Sequence, residues 1–376
     1  MSPIDRRALL QSVGLALGAL TGTGIAGAGV GAAQGQGAAG RAVARLSLNE
    51  NPYGPSPAVV TALQQEFAKL CRYTSGAEYE HLLDQIAAKE GLPRDQIILG
   101  EILEPLGTHL SQQGGPGGEF IYSDPGYTAL IDSAAAVGGR AIGVPLNANL
   151  ENDLPALAAR VSERTRAVFL VNPHNPTGIV ADADELKSFA RGIARRALLI
   201  VDEAYLEFAG GFERRSLAGL VRGGDNVIVF RTFAKAYGLA GLDIGYGLVP
   251  RPIAAAMGKL GLDNPHLFNR LAVAAASASL QDRGYLDGVV RAVERERSLW
   301  FDLFRDLRLR FTPAAANFVF FETGLPNSEF ATALAQQGIA IGRAFPPYDR
   351  WARISIGLPQ ENALARAAVR QLLGKR

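Results

Sequence analysis

The residues able to do chemistry fall into four clusters. Asn172-Pro173-His174-Asn175-Pro176-Thr177-Gly178, Asp202-Glu203-Ala204-Tyr205 and Thr232-Phe233-Ala234-Lys235-Ala236-Tyr237-Gly238-Leu239-Ala240-Gly241 each follow an apolar, β-branched run, and Arg353-Ile354-Ser355-Ile356-Gly357 lies far downstream. Singly they have ordinary structural readings, since an aspartate after a strand commonly caps a helix and a lone lysine is usually solvated. Together they supply the parts of one chemistry. A lysine amine forms a Schiff base with an aldehyde cofactor, and an aspartate holds a pyridine nitrogen protonated so that the ring can accept electrons.

Such clusters need a scaffold that brings them to one edge. Gln96-Ile97-Ile98-Leu99, Phe120-Ile121-Tyr122, Ala167-Val168-Phe169-Leu170-Val171, Ala197-Leu198-Leu199-Ile200-Val201 and Val227-Ile228-Val229-Phe230 read as buried strands, with helical segments such as Asp184 to Arg195 between them. Near-continuous apolar strands alternating with helices predict an α/β domain with a mostly parallel central sheet flanked by helices. Ligands in such a fold sit at the carboxyl ends of the strands. From about Pro265 the pattern changes to long helices (Asn269 to Leu280, Tyr285 to Leu307), a strand at Asn317 to Phe321 and a closing helix from Gln360 to Leu373. That reads as a smaller α+β domain. The 376 residues exceed the roughly 250 at which a single core stops growing, which also favours two domains.

The strings at 172–178, 202–205 and 234–242 resemble those of the class I and II aminotransferases, fold-type I enzymes that use pyridoxal 5′-phosphate (PLP). Leu48-Asn49-Glu50-Asn51-Pro52-Tyr53-Gly54-Pro55-Ser56-Pro57 is similar to the histidinol-phosphate aminotransferase branch, and the resemblance runs from about Leu46 to the C-terminus. It implies an N-terminal arm at 41–70 packing on the small domain, a large PLP-binding domain at 71–264 and a small C-terminal domain at 265–376.

The resemblance also implies roles. Lys235 carries the cofactor and moves the substrate proton, Asp202 pairs with the pyridinium nitrogen, and Tyr205 with Asn175 hydrogen-bonds the ring oxygen. Tyr127, in Asp124-Pro125-Gly126-Tyr127, stacks on the ring, and the Thr232 hydroxyl serves the phosphate. Arg353 binds the substrate carboxylate through a planar fork that lysine lacks. Arg343 and Tyr53 are substrate-side companions. Tyr73 reaches the phosphate of a neighbouring subunit's cofactor, which implies a homodimer with shared active sites. The reaction implied is transfer of an amino group between an amino acid, or an amino-alcohol phosphate, and a 2-oxo acid. A decarboxylase, racemase or oxidase on the same scaffold, and a binding protein, remain open alternatives.

Three positions that serve the phosphate in that family are changed here. The Gly-Ser-rich turn is replaced by Leu99-Gly100-Glu101-Ile102-Leu103-Glu104-Pro105, the serine before the lysine is Ala234, and the arginine eight residues after it is Asp243. Each charge-assisted hydrogen bond is worth about 1.5–3 kcal/mol, so weaker cofactor binding is expected. Amides after Gly100, Thr232, a neighbour's Tyr73 and Arg231 are the remaining candidate phosphate partners, with Arg231 also available to neutralise Asp243.

Composition narrows the alternatives. Thirty-eight basic and 36 acidic residues are spread along the chain to a net charge of +2, which does not make the clustered basic footprint of a nucleic-acid binder. With one cysteine, Cys71, and four histidines lacking HExxH spacing, a metal centre is not expected. Residues 1–40 read as a signal peptide and flexible linker. Arg6-Arg7 precede a weakly apolar Gly/Ala/Leu stretch, with small residues at Ala26-Gly27-Ala28 and Gly31-Ala32-Ala33. This resembles a twin-arginine signal, which exports folded proteins to the periplasm or beyond. An uncleaved anchor over 8–33 is the alternative. Gly22-Thr23-Gly24-Ile25-Ala26-Gly27 spells a dinucleotide fingerprint, but no strand precedes it and no acidic residue follows at the right distance.

Overall fold

The structure, a computed structural model, describes residues 44–374. The leader, Arg6 and Arg7 among it, and the Gly22–Gly27 string lie outside the described residues. Eleven strands are present among them: β1 (Ala44–Leu46), β2 (Ile97–Leu99), β3 (Glu119–Asp124), β4 (Arg140–Pro145), β5 (Thr165–Val171), β6 (Leu198–Asp202), β7 (Val227–Thr232), β8 (Gly245–Leu248), β9 (Phe318–Glu322), β10 (Ile339–Ile341) and β11 (Trp351–Ser355). Seven form one sheet in the order β2-β8-β7-β6-β5-β3-β4. Only β8 runs against the common direction of the other six strands in that sheet.

The apolar runs make this sheet because helices cover both of its faces. Alternate side chains leave a strand in opposite directions. Val168, Leu170, Leu199, Val201, Val227 and Val229 enter one core, while Phe169, Ile200, Ile228 and Phe230 enter the other. β8 escapes the sequence pattern because two of its four residues are glycine. Both glycines permit close packing: a Cβ on Gly247 would collide with Cδ1 of Ile102, and one on Gly245 would stand 2.6 Å from the Arg231 carbonyl oxygen.

A third core gathers the C-terminal elements. The helix Arg283–Asp306, capped by the Asp282 side chain on the Tyr285 amide, turns Val289, Val293, Trp300, Leu303 and Phe304 inward against Phe318, Val319, Phe321 and Ile354. Each such large side chain contributes about 1.5–3 kcal/mol on burial. β9 pairs antiparallel with β11, and β1 lies parallel to β10, so the N-terminal segment is tied into this region. Asn51 also reaches back, its Nδ2 donating to the Ala236 carbonyl at 3.0 Å, beside Lys235. Gly238 has φ +74°, and a Cβ there would collide with the Gly54 carbonyl. The arm therefore lies directly on the lysine loop.

Candidate active site

Parallel pairing sets the carboxyl ends of β5, β6 and β7 side by side, with Val171 opposite Asp202 and Asp202 opposite Phe230. The three polar clusters consequently emerge at one edge of the sheet. Asp202 is only 3% exposed, and its Oδ1 accepts the Ala204 amide at 2.9 Å. Burial pushes its carboxyl up to about 7, against the opposing pull of that amide and of the Lys235 ammonium. A buried acid this close to neutrality is poised for a cationic partner.

Lys235 lies beside it with Nζ 5.9 Å from the centre of the Tyr205 ring and 3.5 Å from the Leu48 carbonyl oxygen. The buried Tyr205 hydroxyl accepts from Asn49 Nδ2 at 3.2 Å and from Asn175 Nδ2 at 3.5 Å. Asn175 Oδ1 in turn accepts from Arg353 Nη1 at 2.6 Å, and Arg353 Nη2 donates to the Ser47 carbonyl at 2.7 Å. Burial lowers the Arg353 guanidinium to about 10, with Tyr205 acting in the opposite sense and Arg343 in the same one. Its Nε is buried without a hydrogen-bond partner. Lys235, Asp202, Tyr205, Asn175 and Arg353, drawn from four separate stretches of sequence, thus form one connected group.

A second group adjoins the first on the same edge. The Thr232 hydroxyl donates to Glu101 Oε1 at 2.8 Å and accepts the Ala234 amide at 3.0 Å. Tyr127 is part of this surround: burial and the charges of Asp202, Glu104 and Glu101 all push its phenol upward. Arg231 is not part of it, correcting its assignment as a phosphate partner and as a counter-ion for Asp243. Its side chain leaves β7 on the face opposite Thr232, where Nη2 meets Ser216 Oγ at 2.8 Å and Glu203 Oε2 at 3.1 Å. Adjacent residues of a strand cannot point the same way.

The remaining candidates are dispersed. Arg343 is exposed, stacked 4.4 Å over the Phe345 ring, and near enough for its charge to act on Arg353. Tyr53 packs into the C-terminal core, where burial and the charge of Glu296 raise its phenol; its carbonyl accepts the Tyr285 hydroxyl at 2.9 Å. Tyr73 is 77% exposed, its ring 5.5 Å from that of His266. Two residues enter the site without having been singled out. Asn49 is fully buried at φ 56°, its amide bonding Ser355 Oγ at 2.8 Å; the only sequence signal was its place in the arm string. Glu101 stood out only as an interruption of a family turn.

The family Aminotransferase class I and II matches residues 41–370. The chain belongs to the class I and II aminotransferases. It is 36% identical over 340 residues to the histidinol-phosphate aminotransferase of Moorella thermoacetica, covering 88% of this chain and 86% of that protein. With histidinol-phosphate aminotransferase 1 of Mesorhizobium japonicum it shares 37% identity over 337 residues, 88% of this chain and 90% of the relative. The crystal structure of histidinol-phosphate aminotransferase from Sinorhizobium meliloti in complex with pyridoxal-5′-phosphate superposes with a TM-score of 0.79 at 32% identity, covering 89% and 91% of the two chains. The protein is a histidinol-phosphate aminotransferase-like, PLP-dependent transaminase of fold type I.

The aminotransferase cofactor can be tested against the residues present. Its ring end fits: a buried carboxyl pulled toward neutrality, a nearby primary amine and a tyrosine hydroxyl already held by two amides are complementary to a pyridine nitrogen, an aldehyde and a ring oxygen. The Thr232 end carries one hydroxyl, and that hydroxyl is engaged by a carboxylate.

Proposed function

We propose that Lys235 is the residue that carries PLP, and that this aminotransferase acts on an amino acid or amino-alcohol phosphate whose anionic group is read by Arg353. The observation that carries the reading is the buried line of hydrogen bonds from Arg353 through Asn175 to Tyr205, beside Lys235 and Asp202. Bound PLP supplies an electron-withdrawing ring and an aldehyde carbon. Asp202 holds a proton on the ring nitrogen, since a cation beside it restores the charge that burial opposes. The Tyr205 hydroxyl and Asn175 set the electron density at the ring oxygen, and Tyr127 covers a face. Lys235 Nζ, once free, takes the proton from the substrate α-carbon and returns it. Arg353 fixes the substrate's orientation, with the charge of Arg343 near it; Tyr53, packed into the C-terminal core, is left out of this role.

The 2-oxo acid acceptor uses the same arginine in the reverse half of the exchange. Borohydride reduction of the loaded enzyme followed by peptide mapping tests the assignment. Cofactor trapped on Lys235 supports it, and cofactor trapped on another lysine overturns it.

The exposed Tyr73, with Phe67, Leu70 and Leu267 also exposed, supports a homodimer in which Tyr73 completes the neighbour's site. Sedimentation as a monomer at micromolar concentration contradicts that. Arg6-Arg7 and the weakly apolar stretch after them support export by the twin-arginine route to the periplasm or beyond. The variant with both arginines changed to lysine is expected to stay in the cytoplasm, and its continued export contradicts the route.

A further inference from the structure

We infer that Glu101 decides which 5′ end the cofactor pocket accepts: as a carboxylate it opposes a phosphate dianion, and as the neutral acid it admits one. PLP then binds with uptake of a proton, whereas pyridoxal, the same aldehyde with an uncharged 5′-alcohol, needs none. The inference rests on the assignment of Lys235 and Thr232 to the cofactor.

The geometry starts from β2. Leu99 pairs with Tyr246 of β8, and the Gly100 amide donates to the Gly245 carbonyl at 2.8 Å, which sets Glu101 at the strand's carboxyl end. Gly100 adopts φ +108°, a conformation suited to glycine. Room for the carboxylate comes from across the ladder, where a Cβ on Gly245 would stand 3.1 Å from Glu101 Oε1. Thr232, three residues before Lys235, gives its single hydroxyl hydrogen to Glu101 and uses its oxygen to accept the Ala234 amide. A phosphate arriving there finds the donor already committed to a carboxylate.

The groups facing Glu101 are Asp202 at the end of β6, Asp243 in the loop before β8, Glu104 in the helix Leu103–Gln112, Thr232 on β7 and Tyr127. Lys235 is the cation that acts on Asp202 in the same site. Burial pushes the Glu101 carboxyl up to about 7; the Thr232 hydrogen bond pulls it down, and Asp202, Asp243 and Glu104 push it further up. Below that pH Glu101 is an O–H donor toward phosphate, and above it an acceptor only. An uncharged 5′-hydroxyl can instead donate to the carboxylate.

The test titrates apo-enzyme with PLP and with pyridoxal, following absorbance, at about pH 7 and about pH 9, above the second phosphate ionisation near pH 6, so that PLP stays a dianion while Glu101 passes from about half to fully ionised. Both aldehydes share the ring and the lysine, so titration of Asp202 or Lys235 cancels in the ratio of their dissociation constants. That ratio, PLP over pyridoxal, should rise at least tenfold with pH in the wild type and stay flat in Glu101→Gln. Should the variant fold poorly, proton uptake by the wild type at about pH 7.5 gives the same answer, with about one more proton taken up with PLP than with pyridoxal. A ratio that changes equally in both proteins, or equal proton uptake, overturns the role of Glu101. Borohydride trapping of each aldehyde is run in parallel. Trapping on Lys235 with a flat wild-type ratio removes Glu101 alone, while trapping elsewhere removes the lysine assignment and this inference with it.

Discussion

Arg231 and Thr232 are consecutive in β7, yet they meet opposite surroundings. On the Arg231 face, buried charges of both signs face one another: the guanidinium lies 3.1 Å from Glu203 and 3.5 Å from Glu90, with the Phe212 ring 4.3 Å over it. Lys89 joins them, 3.0 Å from the Tyr246 hydroxyl, which itself donates to Glu90 at 2.7 Å. Burial disfavours the Arg231 charge, and Glu203 and Glu90 more than offset that. On the Thr232 face, Asp202 and Glu101 are both pushed up to about 7. On one face the carboxylates share a guanidinium from the chain itself, although burial still pushes Glu203 up; on the other, Asp202 is met by Lys235 and Glu101 by the Thr232 hydroxyl. Buried charge alone therefore does not mark a catalytic site.

The contrast can be broken most forcefully on the Arg231 face. Arg231→Met leaves Glu203 and Glu90 buried without their guanidinium and is expected to cost about 3–5 kcal/mol in stability. Urea unfolding measures it, and a loss below about 1 kcal/mol would show that this cluster is not structural.

The opposite pattern is expected on the other face. Asp202→Asn should lower turnover by about a hundred- to a thousandfold, roughly 2.7–4.1 kcal/mol, without destabilising the apo-protein. The pH dependence has a definite sign. Because the folded carboxyl titrates near 7, above its usual value of about 4, its contribution to stability is full below about pH 4 and is lost as the pH rises through 7. Wild-type apo-protein should accordingly weaken over that window relative to the asparagine variant. Parallel unfolding curves for the two at every pH would erase the distinction between the faces.

Smaller effects sharpen the map of the active face. Arg353→Lys keeps a charge but loses the fork that spans Asn175 and Ser47, so KM for a carboxylate substrate should rise about ten- to a hundredfold while kcat changes less. An unchanged KM removes Arg353 from substrate binding. Tyr205→Phe removes the hydroxyl that accepts from Asn49 and Asn175, with an expected loss near 1 kcal/mol in stability, read from thermal melts of the apo-protein. A melt identical to the wild type would mean that the two amides find other acceptors.

Much of this was legible along the chain. Apolar runs bounded by polar clusters at 172–178, 202–205 and 232–241 determine where strands end, and in a parallel α/β sheet those ends share an edge, so the grouping of Asn175, Asp202 and Lys235 follows from local pattern. The period of two in β7 likewise requires Arg231 and Thr232 to part. It does not say which side holds the site, because that depends on which helices and loops cover each face. Tertiary structure alone decided that Glu101 meets Thr232, 131 residues away, and that Asn49 meets Ser355 across 306. It alone built β8 from a glycine-rich stretch whose reason is close packing against Ile102 and the Arg231 carbonyl. A strand's burial pattern is written in its own residues, whereas a hydrogen bond between distant polar groups depends on where the whole fold sets their backbones.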